Sequence, residues 1–293
     1  MSEERYEVSA TAKLVMGAVS LIFGLFIVFA GPFILQIGYE TVMREVLSAG
    51  GTPPPPPNLY YYTPFVVPWF FATYRAIGVI GGIVCILTSY SLWKGERWAW
   101  PATLVGMALP TIFSVLSIIP HLAHIGSVPP SIFIIVAGLF AYWIVLLFPR
   151  SDIKEKAARV SAFTLLGLLA GETAVFCMQG AKALGSMAEM VFNTNNPGFL
   201  LNPDISIFSF SWPLQIATTI MVVLAIYLLA KRDRRGWWLG MGAGVTGMVA
   251  NFPTQFVRWG VTIDFIFTGF LALFLVVVLM IPAFKKSLIG EKG

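Results

Sequence analysis

The sequence predicts an all-α membrane protein: eight transmembrane helices arranged as two tandem, parallel four-helix repeats, with both termini cytoplasmic. Three observations carry that prediction. They are eight apolar runs of bilayer length, a one-sided distribution of basic residues, and a basic turn that occurs twice.

Of the 293 residues, 57% are hydrophobic and only 11% are charged, whereas soluble domains hold roughly 25% charged residues. Mean hydropathy is +0.81, so lipid is the solvent for most of this chain. Apolar runs cover roughly 12–35, 68–93, 99–123, 130–149, 160–188, 212–230, 237–258 and 263–283. A helix rising ~1.5 Å per residue needs about 20 residues to cross ~30 Å of hydrocarbon, and each run is near that length. The first run continues past Pro32 with no small-x-small cleavage site, so it reads as a spanning helix rather than a signal peptide. Pro101, Pro110 and Pro120 predict kinks in the third.

Fifteen of the 19 Lys and Arg fall on one side of this frame. They cluster near the N-terminus (Arg5, Lys13), at Lys94 and Arg97, over Arg150–Arg159, over Lys231–Arg235, and at Lys285, Lys286 and Lys292. The richer side is cytoplasmic by the positive-inside rule. The pI of 9.2 therefore reports orientation, and no nucleic-acid partner is expected.

Leu92-Trp93-Lys94-Gly95-Glu96-Arg97-Trp98-Ala99-Trp100 follows the second run, and Leu229-Ala230-Lys231-Arg232-Asp233-Arg234-Arg235-Gly236-Trp237 follows the sixth. Leu, Lys, an acid, Arg and Trp recur in register. With a four-residue deletion Pro120 then falls on Pro253, and Pro149 on Pro282. An even number of helices per unit makes the repeat parallel, with units 1–150 and 151–293. The first of these turns looks like one that recurs in prokaryotic four-helix membrane proteins. That resemblance implies a prokaryotic cell membrane and carries no function with it.

Two outer loops are expected, 36–67 and 191–211. The first holds Pro53 to Pro57 and Tyr60 to Tyr62, which reads as a polyproline spacer or a docking ligand for a protein partner. The second is rich in asparagine. Cys85 and Cys177 lie inside apolar runs without CxxC or Cys/His spacing, so they read as buried thiols.

Glu172 is the sharpest chemical signal. Placed near the bilayer midplane, a carboxyl costs at least ~2.5 kcal/mol, so it must face the interior, carry a proton, or meet a partner. It reads either as a proton, cation or quinone-contacting site, or as a hydrogen-bonded structural acid. His121 and His124 share a helix face near an outer end, where haem, metal or surface proton transfer competes with plain interfacial hydrogen bonding. Arg75 and Arg258 sit near outer helix ends and are expected to snorkel, with Asp264 close enough to pair with Arg258. The spacings Gly78/Gly82 and Gly240/Gly244 read as close helix packing.

These features favour a non-catalytic integral membrane subunit or scaffold, contacting partners through the two outer loops and the bilayer itself. The alternative is a small-solute or proton-coupled transporter using Glu172. A membrane enzyme or quinone-interacting subunit comes third, because enzymes need several converging polar groups. The sequence assigns no catalytic residue, no metal and no cofactor.

Overall fold

The computed structural model describes residues 8–48, 63–149, 152–194, 203–259 and 263–290. Among the described residues every long element is a helix. The order is α1 (Ala10–Phe29), α2 (Gly31–Ser48), α3 (Thr63–Lys94), α4 (Ala99–Ser114), α5 (Ile118–Ile125) and α6 (Ile132–Leu147). Then come α7 (Ile153–Thr194), α8 (Pro203–Ala230), α9 (Arg234–Val257), α10 (Asp264–Met280) and α11 (Pro282–Ile289). Four stretches, Ala10–Phe29, Pro68–Lys94, Ile153–Ala181 and Ser206–Ala230, are long and apolar enough to cross a membrane. A fifth is added if α10 and α11, bent by 79°, count as one span. Ala99–Ser114 and Ile132–Leu147 are shorter apolar helices. Phe33, Leu87, Phe140, Ile220 and Phe274 point outward and exposed, which suits lipid and not water. The chain is an integral, multi-pass membrane protein.

Glycines let the helices approach. A Cβ on Gly24 of α1 would stand 2.7 Å from the Gly82 carbonyl oxygen of α3. One on Gly81 of α3 would stand 2.6 Å from the Gly106 carbonyl oxygen of α4. Around these crossings α1 packs on α3, α3 on α4 and α4 on α6, and α6 closes on α1. The later helices follow the same order: α7 on α8, α8 on α9, α9 on α10, and α10 back on α7. The two groups meet chiefly where α4 rests on α7 and α8. Among the described residues, hydrogen bonds also join the groups from α3 and α6 to α7, from the Tyr74 hydroxyl to the Ala174 carbonyl (2.9 Å) and from Trp143 Nε1 to Thr164 Oγ1 (3.1 Å).

The two basic turns have one backbone pattern. Gly95 N donates to Leu92 O and Glu96 N to Ser91 O; Arg232 N donates to Leu229 O and Asp233 N to Leu228 O. Both are Schellman closures with a left-handed residue, Gly95 at φ 76° and Arg232 at φ 57°. Beyond each turn a tryptophan ties the next helix to its bundle. Trp100 Nε1 donates to Val145 O and Trp237 Nε1 to Leu279 O, both at 2.9 Å.

Asp233 caps α9, accepting from Arg235 N at 2.9 Å. Hydrogen bonds from Arg235 hold its carboxyl below the usual carboxylate range. Asp233→Ala should cost about 1 kcal/mol, the usual worth of an N-cap. Because the folded pKa is depressed, that stability exists above the unfolded value and fades as pH falls through the folded one. The gap between the thermal midpoints of wild type and variant in mild detergent should therefore begin to narrow at about pH 4, the unfolded value, and narrow fully only below the depressed folded one; a pH-independent gap would refute the capping role of the charge.

Nearby, Glu155 at the start of α7 accepts from Arg159 at 2.6 Å and also pairs with Arg232 of the second turn. Arg159 is buried, with its guanidinium 5.3 Å over the Trp100 ring. Glu155→Gln replaces the carboxylate beside the buried Arg159 with a neutral amide. Breaking a buried pair costs 3–5 kcal/mol; with Glu155 partly solvated, about 2 kcal/mol is expected. An unchanged unfolding midpoint would rule this clamp out.

Three expectations need correction. Residues 36–48 of the supposed loop 36–67 are the helix α2, and α3 already begins at Thr63. The helix is built on i,i+4 pairs, with Gln36 Nε2 donating to Glu40 and Arg44 pairing with Glu40. The supposed loop 191–211 is likewise helical at both ends, since α7 runs to Thr194 and α8 starts at Pro203. Pro53 to Pro57 and Tyr60 to Tyr62 lie outside the described residues. Finally, the third run breaks at a 3-10 turn, Val115–Ser117, and not at each proline. Pro101 and Pro120 occupy first turns of α4 and α5, where a missing N–H costs nothing. The break falls just ahead of Pro120, whose ring would clash with the carbonyl of residue 116 in a continuous helix.

Candidate functional site

The level of Glu172 follows from its neighbours. A Cβ on Gly247 of α9 would meet Ala272 Cβ at 3.0 Å, Leu169 Cδ1 at 3.5 Å and Thr218 Cγ2 at 3.7 Å. Ala272 is the central residue of α10, so these four positions mark the middle of the second bundle. Glu172 lies three residues beyond Leu169, ~4.5 Å from that level by helix rise, on the side away from the basic turns. It is half-buried, with exposed Leu168 one turn below and buried Phe176 one turn above. Asp264 at the start of α10 is near enough for its charge to act on Glu172.

From this level toward the face away from the basic turns the second bundle is polar inside. Thr173, Gln215, Thr218, Asn251, Thr254, Gln255 and Thr268 are all buried. Most of their bonds are local: Thr218 Oγ1 donates to Leu214 O at 2.8 Å and Thr254 Oγ1 to Ala250 O at 2.6 Å. Others join helices. Thr173 Oγ1 and Thr219 Oγ1 share a hydrogen bond of 2.8 Å between α7 and α8. Gln255 Oε1 accepts from Ile266 N at 3.0 Å, which caps α10.

The pair Gln215–Asn251 differs from these. Asn251 Nδ2 donates to Gly247 O at 2.8 Å. A carbonyl only accepts, so the amide of Asn251 is fixed in orientation, and its Oδ1 takes the bond from Gln215 Nε2 at 2.9 Å. The chain therefore ends on an acceptor. Gln215 Oε1 is buried and accepts no hydrogen bond from the described residues. An interhelical side-chain bond in a membrane protein contributes ~0.6 kcal/mol on average, whereas an unsatisfied buried polar atom costs about 1–3 kcal/mol.

The remaining residues singled out by sequence are dispersed. His121 is buried, with Nδ1 donating to the Ser127 carbonyl at 3.0 Å, so it braces the turn between α5 and α6. The side chain of His124 lies outside the described residues. Among the described residues no three His, Cys, Asp or Glu gather as a metal site. Arg258 is buried, its guanidinium 5.1 Å over the Phe208 ring. It closes α9, and Asp264 opens α10. Arg75, on α3 in the other bundle, donates to Gln36 Oε1 at 2.8 Å. The structure thus brings Glu172 and Asp264 into one polar region, while His121 and Arg75 stand apart. The sequence reading missed Gln215 and Asn251, although amides inside two apolar runs were a visible signal. No protein-family model matches the chain, and comparison with curated proteins and with solved structures finds no match either.

Proposed function

We propose that the chain is an eight-span membrane protein of two tandem four-helix bundles, both termini cytoplasmic. In this reading the second bundle carries a transfer site for a proton or a small hydrogen-bond-donating solute. The observation that carries it is the buried acceptor Gln215 Oε1 at the end of the Gly247–Asn251–Gln215 chain. Groups that weaken a membrane bundle are kept for function, and an unmet acceptor in the bundle that also carries Glu172 suits a donor or a proton. The matched order of helix packing, the twin Schellman turns and the twin tryptophan bonds support the duplication. The basic turns on one face support the orientation.

Topology is tested by cysteines at Ser127, in the exposed turn between α5 and α6, and at Arg97, in the exposed first basic turn. An impermeant thiol reagent applied to intact cells should label the first and spare the second; the reverse pattern would overturn the orientation. The site is tested in liposomes holding a pH-sensitive dye under an imposed potential. Wild type should conduct protons or respond to solute gradients, and Glu172→Gln, which keeps the shape but cannot release a proton, should not. A hydrophobic carbodiimide should modify Glu172 in wild type. Full flux in Glu172→Gln would refute its role.

The subunit reading keeps one observation of its own. Helix α7 has 42 residues, ~63 Å at ~1.5 Å each against ~30 Å of hydrocarbon, and so supplies a helical surface beyond the lipid for a protein partner. A stoichiometric protein retained through purification in mild detergent would favour it over transport.

A further inference from the structure

Along α7, Ser161, Leu165, Leu168, Glu172 and Gln179 are all at least partly exposed. At 3.6 residues per turn these positions fall within about 60° of one another, so they form one strip of the helix. Contacts on its flanks say where the strip lies. On one side a Cβ on Gly171 would stand 3.3 Å from Val115 Cγ2 of the first bundle, and the Ala174 carbonyl accepts from the Tyr74 hydroxyl. On the other side the Phe176 ring stacks on Phe265 of α10, with centroids 4.3 Å apart. The strip is left open between the first bundle and α10. Leu168, one turn from Glu172, is 45% exposed there, at a depth where the surroundings are hydrocarbon.

Glu172 thus opens sideways, onto lipid. Ionisable groups at mid-membrane almost always face a bundle interior or a water-filled cavity, and this one does not follow that rule. Among the described residues its carboxyl meets no hydrogen-bond donor and no basic side chain, and the charge that acts on it belongs to a second acid, Asp264.

We infer that Glu172 takes a lipophilic amine, which arrives through the bilayer and enters from the side between α10 and the first bundle. The inference rests on the reading of Glu172 as a transfer site and names its solute. An amine crosses hydrocarbon as the neutral base, because a bare charge is costly to desolvate. Where it meets the neutral acid, the carboxyl O–H donates to the amine nitrogen. Moving that proton along the bond breaks O–H, forms N–H and leaves an ammonium carboxylate, with no net charge brought into the lipid. The nearby Asp264 favours the cation so formed. An alcohol or a quinone offers only a weakly basic oxygen and cannot take the proton.

The test follows carbodiimide modification of Glu172 by peptide mass spectrometry, on the full-length protein in phosphatidylcholine nanodiscs. Lipid-soluble dicyclohexylcarbodiimide should modify Glu172. A water-soluble carbodiimide should modify Glu96, exposed in the first basic turn, and spare Glu172. N,N-dimethyldecylamine, a tertiary amine that cannot itself be acylated to an amide, should protect Glu172 at about one tenth of the concentration that decanol needs, as one charge-assisted contact allows. In equilibrium binding to the same nanodiscs, Glu172→Gln should erase the amine's advantage over decanol. The inference is overturned if the water-soluble reagent reaches Glu172 as readily, if decanol or a decyl-substituted quinone protects as well as the amine, or if Glu172→Gln binds the amine as wild type does. Should Glu172→Gln fail to fold, labelling and protection of wild type decide the matter. Amine protection with full flux in Glu172→Gln would support this site and sink the transfer reading; lost flux without amine protection would do the reverse.

Discussion

Gly81→Leu is expected to leave no monodisperse protein in a detergent extract, while Gly78→Ala, three residues away on α3, is expected to be silent. At Gly81 the first added carbon would stand 2.6 Å from a backbone oxygen and 2.7 Å from Pro110 Cδ. Neither atom can swing aside, because one is main chain and the other a proline ring. Overpacking against movable side chains already costs about 1–3 kcal/mol, and here the helices themselves must separate. Total stabilities run about 5–15 kcal/mol, so parting α3 from α4 removes a large share. At Gly78 the same carbon finds only van der Waals contact at 3.6 Å. Yield and thermal midpoint of the two variants are the measurements. A well-behaved Gly81→Leu would mean that α3 and α4 do not cross where these glycines meet.

The spans with unbroken apolar sequence were legible because lipid imposes composition over about 20 residues. Helices α2 and the far part of α7 were not. Gln36, Glu40 and Arg44 support a helix through i,i+4 pairing, not through apolarity, and a scan for lipid-facing segments reads them as loop. The docking of the two bundles was also out of reach. A two-fold axis would bring α9 against the first bundle as α4 meets the second, yet the principal contacts join α3, α4 and α6 to α7 and α8. That is a heterologous contact. Which face docks depends on side-chain fit, such as Trp143 on Thr164, and no repeat in the sequence records it.

Glu172 stood out in the sequence because a charge in an apolar run is rare. Gln215 and Asn251 did not, being neutral, and their meaning lies in a bond between residues 36 apart. The orphan acceptor depends on the direction of that bond, which is set in turn by a backbone carbonyl. Only three-dimensional structure holds information of that kind.

The same bond yields the second large effect. The double variant Gln215→Met, Asn251→Val should unfold no earlier than wild type, and should lose solute or proton transfer completely. Both substitutions remove buried polar atoms together, so no partner is stranded. Replacing both members of a polar pair with apolar groups is nearly neutral or stabilising, whereas deleting one is not. Here the wild-type pair already strands Gln215 Oε1, and removing it should recover some of the ~1–3 kcal/mol that an unsatisfied atom costs. The proposed transfer, in contrast, relies on the buried acceptor Gln215 Oε1, and methionine offers none of comparable strength. The single variant Asn251→Val serves as control. It leaves Gln215 Nε2 without its acceptor as well, so the thermal midpoint should fall below that of both wild type and double variant. If the double variant instead loses stability on the scale of a few degrees, the pair is structural glue and the argument from its energetic cost fails. If it keeps full flux while remaining stable, Gln215 has no part in transfer, and Glu172 must act without it.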